Sequence, residues 1–327
     1  MLKTDECVDG LAIKTYYRIH LGFYRFKDDP YIYGSLGSVI NTPNFTMEVC
    51  VSEKSFSSVN SPSEESRELI EGILRELNLL KSGLTINLSG YLAHHVGLGS
   101  RTKIVMTTLK AIQKLLNPRI DIVKNAVKFG VAQVSGIGLY TFLRGGFIID
   151  SGLKKSAGGS YIRPKPLIRL LLPRNWRVIV ALPEGVKGLR EYEEKPALDN
   201  VVTHPEQEAL YRNLLIVLNS IKNRDFKSFG EAITKIQVLT GKYFSRYQGG
   251  IFCCEESEHL VNALTKAGAL GVGQSSWGPL VYGFVESDKR ASNVIQYLRS
   301  LEGTLKFRYW IAEVPNVGFE LFQIKRM

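Results

Sequence analysis

The stretch His95-Val96-Gly97-Leu98-Gly99-Ser100-Arg101-Thr102-Lys103 decides how the chain is read. It follows Leu84–Leu92, where Leu84, Ile86 and Leu88 alternate with Thr85, Asn87 and Ser89, the period of a half-buried strand. It runs into Thr102–Leu116, whose spacing predicts a helix closed by Asn117-Pro118. A strand, a glycine turn and a helix start, in that order, make a place for an anion. Glycine lets the backbone turn sharply and approach a ligand closely. The first helical turn then presents N–H groups that have no intrahelical acceptor, at the positive end of the helix dipole. Ser100 and Thr102 add hydroxyl donors, and Arg101 and Lys103 add charge that neutralises phosphate. Gly97, Leu98, Gly99, Ser100, Arg101, Thr102 and Lys103 are therefore the expected phosphate-binding residues. The competing reading is a plain glycine turn with exposed basic side chains.

Outward from this turn the chain alternates between the two periodicities. Leu11–Phe26 and Thr46–Val51 are rich in β-branched and aromatic residues and predict strands, with Tyr16-Tyr17 as strand packing. Ser55–Ser66 reads as a loop that ends in a helix cap: Ser63 caps, Glu64 and Glu65 occupy the first turn, and Leu69, Ile70, Ile73, Leu74 and Leu77 form the apolar face. Gly145–Asp150 reads as a buried strand entered by a glycine turn. Beyond Ser156–Pro166, where a boundary is expected, Trp176–Leu182, Val281–Val285 and Thr304–Ile311 predict strands. Pro205–Ile221, Phe226–Thr240, Ser257–Ala267 and Asp288–Leu301 predict helices. The class is α+β in two domains, 1–165 and 166–327.

The 327 residues suffice for two cores of ordinary size, and 44% hydrophobic and 22% charged residues are ordinary for a globular protein. No apolar run approaches a membrane span, and the N-terminus has no apolar stretch like that of a signal peptide, so a cytoplasmic protein is expected. A net charge of +11 favours polyanionic partners. Lys and Arg are spread along the chain without a basic block, so nucleic acid is not expected. Cys7, Cys50, Cys253 and Cys254 form no C-x-x-C pair and are expected as buried, reduced thiols. His204 and His259 are expected at the surface, and Glu191, Glu193 and Glu194 in a solvated turn.

The glycine segments carry a resemblance. Strand, Gly-Leu-Gly-Ser, helix is similar to the second signature of the GHMP kinase superfamily. Arg18-Ile19-His20 with Gly34-Ser35-Leu36-Gly37 resembles its N-terminal region, and Gly271–Pro279 resembles its third signature. The wording Gly273-Gln274-Ser275-Ser276-Trp277-Gly278-Pro279 resembles one branch, the archaeal β-ribofuranosylaminobenzene 5′-phosphate synthases. So do Ser135-Gly136-Ile137-Gly138 with Phe142 and Gly145–Asp150, and Arg163-Pro164-Lys165-Pro166 with Pro173 and Trp176. The likeness runs from about residue 14 to 285.

That resemblance implies a GHMP-kinase-like fold, with an N-terminal domain of the ribosomal S5 domain 2 type and a ferredoxin-like C-terminal domain. It implies a cytoplasmic glycosyltransferase that condenses a 4-substituted benzoate with phosphoribosyl pyrophosphate. Carbon dioxide and pyrophosphate are released, magnesium assists, and the product enters methanopterin-type cofactors. His20 and His95 are then the candidate catalytic residues. Ser135, Gly136, Gln274, Ser275, Ser276 and Trp277 are candidates for holding substrate, and Asp150 for holding Mg2+. For Asp150 a strand-end cap is an equal alternative. Trp277 either stacks on the aromatic acid or closes one domain onto the other. Acid-dependent kinases of the superfamily place an aspartate two residues after a Ser-Gly pair, where this chain has Gly138, which cannot take a proton. An ATP-dependent small-molecule kinase and a non-catalytic phosphometabolite-binding paralogue stay open as alternatives, as does assembly into a homodimer.

Overall fold

The computed structural model describes residues 7–188 and 191–324. The chain opens with β1 (Asp9–Phe23), turns through β2 (Lys27–Asp28) and β3 (Tyr31–Ile32), and returns in β4 (Ser35–Val51). β1 and β4 pair antiparallel from Asp9↔Val51 to Phe23↔Ser35. β5 (Ser58–Asn60), α1 (Glu64–Glu76), β6 (Leu84–Gly90) and α2 (Ser100–Leu115) follow. Then come α3 (Ile122–Lys128), α4 (Ile137–Arg144), β7 (Phe147–Asp150), β8 (Leu153–Lys155), β9 (Tyr161–Ile162) and β10 (Pro166–Leu170). The rest runs β11 (Arg177–Pro183), α5 (Glu191–Asp199), α6 (Gln207–Asn223), α7 (Phe226–Gln248), α8 (Glu255–Lys266), β12 (Leu270–Gln274), β13 (Val281–Val285), α9 (Asp288–Arg299), β14 (Phe307–Ala312) and β15 (Phe319–Ile324).

The first sheet has the order β10-β7-β4-β1-β15, with β6 on the far half of β4 and β5 parallel to β6. Ile13, Tyr17, Ile19 and Leu21 of β1 are fully buried, and α2 and α4 pack on the sheet. Thr15 and Thr107 join their hydroxyls at 2.7 Å, tying β1 to α2. The second sheet is antiparallel in the order β12-β13-β11-β14. With helices before β12 and before β14, this is the split β-α-β arrangement of a ferredoxin-like domain, as expected. Both β10, which follows the expected division at 165, and β15, at the far end, lie in the first sheet. Helix α7 packs on β12 of one sheet and β1 of the other, so it joins the two halves. No described helix is long and apolar enough to cross a membrane.

Several expectations change. Cys7 and Cys50 form a disulfide, because the β1–β4 register sets Gly10 opposite Cys50 and brings the two Cα atoms to 5.5 Å. Cys253 and Cys254 remain free. His204 is buried rather than exposed: its ring packs beside the Phe26–Tyr243 pair, and Nε2 sits 3.1 Å from the Leu239 carbonyl. His259 is exposed. The acidic run from 191 is helical, within α5. β4 begins at Ser35 instead of Thr46, since pairing to β1 overrides the weak strand preference of Gly37, Asn41 and Pro43.

The Cys7–Cys50 bond closes a loop with a sequence separation of 43. Replacing both with Ser is expected to lower unfolding free energy by roughly 2–4 kcal/mol. Urea unfolding of oxidised wild type against the double variant measures it, and equal midpoints would show that the bond stabilises nothing.

Candidate functional site

The glycine turn is built from its packing. Gly97 has φ 92°, and a Cβ there would come within 2.4 Å of the Ser275 carbonyl. Gly99 has φ 72°, and its missing Cβ leaves room for the Arg18 guanidinium, whose Cζ would be 3.0 Å away. The carbonyls of the turn face inward and are all engaged. His95 O accepts from Gly188 N–H at 2.7 Å, and Val96 O from Leu280 N–H at 3.2 Å. Gly97 O accepts from Ser275 Oγ at 2.7 Å and from Arg18 Nη1, and Leu98 O from Arg18 N–H at 3.3 Å. The N–H groups of Gly97, Leu98, Gly99 and Ser100 have no protein acceptor among the described residues. A turn whose acceptors point in and whose donors are left over is arranged for an anion at the start of α2.

A cavity of about 840 Å³ opens beside this turn, between β1, α5 and α7. Arg18, His20, Thr102 and Ser135 line it on one side. Phe23, Tyr33, Phe244 and Trp277 form an aromatic wall, with ring centroids 5.3 Å apart for Phe23–Tyr33 and 4.8 Å for Phe244–Trp277. Gln237, Gln248 and Gln274 add uncharged donors and acceptors, and Glu194 and Asp199 of α5 also reach it. The size and the mixture suit a ligand with one apolar and one polar part.

His20 is 6% exposed. Its Nδ1 accepts from Gly22 N–H at 3.2 Å, so the neutral ring carries its proton on Nε2, a donor available to the cavity. Burial, and then the Arg18 charge, push its pKa down to about 3, so it is neutral at physiological pH. Arg18 is held by the turn and stays charged, although burial lowers its pKa to about 10. Glu194 opposes that lowering from across the cavity.

Of the expected site residues, the structure brings His20, Thr102, Ser135, Gln274, Ser276 and Trp277 to the cavity. Trp277 is packed against Phe244 while still facing it. Others lie elsewhere. His95, at φ 58°, sets Nε2 3.0 Å from Glu65 Oε1, the atom that also meets His94 Nδ1 at 3.0 Å, and it does not line the cavity. Leu98 is core, and Ser100 Oγ donates to Ala93 O. Arg101 reaches Phe129 O at 3.4 Å. Lys103 turns away from the anion position and is fully buried. Its Nζ donates to Thr141 Oγ1 at 2.9 Å and Gly138 O at 3.2 Å, and burial, then Arg18, lower its pKa well below the ordinary lysine value. Helical periodicity explains this: the side chain three residues after the Ser100 start faces α4.

Asp150 caps the start of α4 instead of facing the cavity. Its oxygens accept from Gly136 N–H at 2.6 Å, Gly152 N–H at 2.9 Å, Ser35 N–H at 3.1 Å and Ser35 Oγ at 2.7 Å. Burial raises its pKa to about 6 against those donors. A fully buried carboxylate with this many donors does not fit a metal-holding role, and no group of three or more His, Cys, Asp or Glu among the described residues is placed to hold a metal ion. Gly136 serves Asp150 rather than a substrate, and Ser275 serves as a strut.

Residues 217–302 match the family model described as GHMP kinases C terminal. The chain is 28% identical over 221 residues to β-ribofuranosylphenol 5′-phosphate synthase of Methanothermobacter thermautotrophicus, covering 64% of this chain and 65% of that one. It thus spans just under two thirds of that relative's length. Against the enzyme of the same name from Archaeoglobus fulgidus it is 29% identical, covering 69% of this chain and 72% of that one. The crystal structure of L. major mevalonate kinase in complex with R-mevalonate superposes with a TM-score of 0.68 at 14% identity, covering 93% of this chain and 96% of that one. The chain has the GHMP kinase fold and is a distant homologue of the β-ribofuranosylphenol 5′-phosphate synthases.

Within this GHMP kinase fold, reading the sequence singled out Arg18 only as part of a motif and missed its place in the site. Its signal was the two-residue spacing to His20, which puts both side chains on one face of β1. The α7 residues Gln237, Thr240, Gly241, Phe244 and Gln248 were missed too. They recur at helical spacing, as polar and small groups on a face that a plain core would fill with aliphatics.

Two outcomes are expected. In the unfolded chain His20 takes a proton near 6.5, in the folded protein only near 3. The unfolded state binds more protons between those values, so stability falls as pH drops from 6.5 towards 3. His20→Gln should remove up to about 1.4 kcal/mol per pH unit of that acid-side slope, read by urea unfolding across this window. An unchanged slope would mean that His20 is charged in the folded state. Secondly, Arg18→Ala should weaken pyrophosphate binding by roughly 1.5–3 kcal/mol, the worth of a charge-assisted contact. Lys103→Met should leave binding within about twofold and stability within about 1 kcal/mol, because a buried amine without a counter-ion is readily replaced by an apolar group. Calorimetric titration would reject this placement if Lys103 proved the larger of the two.

Proposed function

We propose that the chain joins the ribose C1 of phosphoribosyl pyrophosphate to a 4-substituted benzoate, releasing carbon dioxide and pyrophosphate, as a step towards a methanopterin-type cofactor. The observation that carries this reading is one cavity with two chemistries. Arg18 of β1 donates to the Gly97 carbonyl of the turn and lines the cavity, and the aromatic wall of Phe23, Tyr33, Phe244 and Trp277 lines the same space. A donor with several phosphate charges and a flat aromatic acceptor meet both demands.

The work of the chain's own groups follows. The free N–H groups at the start of α2 and the Arg18 guanidinium hold phosphate oxygens and stabilise the charge that gathers on departing pyrophosphate. The aromatic wall fixes the acceptor ring against C1 of the ribose, which replaces a bimolecular encounter by a positioned one. The electron pair of the ring carbon that bears the carboxylate forms the new bond to C1, and the bond from C1 to pyrophosphate breaks. Loss of carbon dioxide then returns an electron pair to the ring and restores its aromaticity. Carbon dioxide leaves where a proton otherwise would, so this substitution needs no strong base at the ring carbon. That suits Gly138 at the position of the kinase aspartate, and a His20 that is neutral and donates through Nε2. Magnesium supplies charge neutralisation to pyrophosphate in this class of reaction, and the residues that would hold it do not include Asp150.

The kinase alternative is favoured by the fold, but at the position where acid-dependent kinases place their aspartate this chain has Gly138, which takes no proton. The test is incubation with phosphoribosyl pyrophosphate, magnesium and 4-hydroxybenzoate or 4-aminobenzoate, with carbon dioxide trapped and pyrophosphate assayed. Carbon dioxide and pyrophosphate are expected in equal amounts, with loss of at least about tenfold in kcat/KM in Arg18→Ala. Phosphorylation of a small alcohol from ATP, without carbon dioxide from any benzoate, would return the chain to the kinases.

A further inference from the structure

The neighbouring cysteines 253 and 254 lie behind the cavity wall. Both are half-buried, and their sulfur atoms are 3.5 Å apart. Cys254 is the N-cap of α8, and its Sγ is 3.1 Å from Ser257 Oγ. Cys253 packs on the third glycine-rich segment so closely that a Cβ on Gly278 would come within 2.6 Å of its Sγ. Its N–H donates to Gln274 Oε1 at 2.7 Å. The Gln274 Nε2 then reaches Ser276 O at 3.0 Å and Gln248 Oε1 at 3.3 Å, and all three of these residues line the cavity. The thiol pair is thus one hydrogen bond away from the wall.

We propose that Cys253 and Cys254 form a peroxide-reactive thiol pair whose oxidation to a vicinal disulfide loosens Gln274 and weakens ligand binding in the cleft. The Cys254 thiolate attacks one oxygen of a peroxide. The O–O bond breaks, Cys254 becomes a sulfenic acid, and hydroxide leaves and takes a proton. The Cys253 sulfur then attacks the Cys254 sulfur, the S–O bond breaks, and the Cys253 proton leaves with the hydroxyl as a second water. Two thiols are oxidised and one peroxide is reduced to two waters. The charge distribution supports this order. The hydrogen bond that Cys253 donates holds Cys254 down to about 6, helped by Ser257 and opposed by burial and Glu256, while the same bond and burial raise Cys253. One sulfur is the nucleophile and its neighbour resolves it. Closing 3.5 Å to a bonded distance of about 2 Å turns the peptide between the two residues, and with it the region of the N–H that orients Gln274.

The coupling to the cleft rests on the proposed anion site, so the test reads the chemistry and the coupling separately. Protein with Cys7–Cys50 intact is treated with hydrogen peroxide at neutral pH, alkylated and digested. The peptide carrying both residues should lose two hydrogens, roughly tenfold faster than a free cysteine is oxidised. Cys253→Ser should stop at a sulfenic acid on Cys254 that dimedone captures, and Cys254→Ser should react roughly tenfold more slowly. The oxidised wild type should lose at least about half of its pyrophosphate-induced rise in melting temperature, while the identically treated Cys253→Ser/Cys254→Ser protein keeps its own. Slow, independent oxidation of the two residues overturns the thiol pair. A vicinal disulfide with an undiminished pyrophosphate shift overturns its link to the cleft. A disulfide formed in protein that shows no shift even when reduced supports the pair and counts against the anion site.

Discussion

The site depends on one hydroxyl. Ser275 Oγ accepts from His20 N–H at 3.0 Å and donates to Gly97 O at 2.7 Å. Three segments far apart in sequence, β1, the glycine turn before α2 and the loop after β12, therefore meet at a single fully buried atom group. A hydroxyl suits this place because it donates once and accepts once, leaving neither neighbour unsatisfied. The strut holds the Gly97 carbonyl, and the planar trans peptide then points the Leu98 N–H the opposite way. Cys253, Gln274 and Leu280 N–H extend the same junction on the side of the second sheet.

Among the described residues, positive charge in the cleft is sparse. The chain carries a formal +11, yet among the described residues Arg18 is the cation that lines the cavity, beside a neutral His20 and across from Glu194. Distributed surface charge raises the local concentration of anions, while specificity comes from the few donors that are fixed. Lys103 illustrates the distinction. A lysine next to a glycine turn at a helix start looks like a phosphate ligand, but its amine joins α2 to α4 through Gly138 and Thr141. It is therefore packed between two helices and does not line the cavity.

The fold is that of small-molecule kinases, and the fold alone does not carry their chemistry. Gly138 is the point of divergence. A Cβ there would meet Thr102 Cγ2 at 2.9 Å, so a side chain at this position requires the Thr102 side chain to shift.

The sequence by itself determined the periodic elements and the glycine turn before α2. Alternation in Leu84–Gly90, the Ser63 cap with its acidic first turn, and the Gly97–Ser100 break are local features whose physics involves neighbours a few residues away. The split of the second half into helices and strands was legible for the same reason. What only tertiary structure decided were questions of direction and pairing. Whether Lys103 points to phosphate or to Thr141 depends on where α4 lies. Asp150 became a cap, with no free oxygen for a metal, because Ser35 and Gly136 arrive from other elements. The Cys7–Cys50 bond exists because the β1–β4 register sets strand ends side by side, a fact no spacing of four cysteines encodes. Arg18 joined the site because β1 runs beneath the turn, and side-chain reach across strands is fixed by packing and not by the order of residues along the chain.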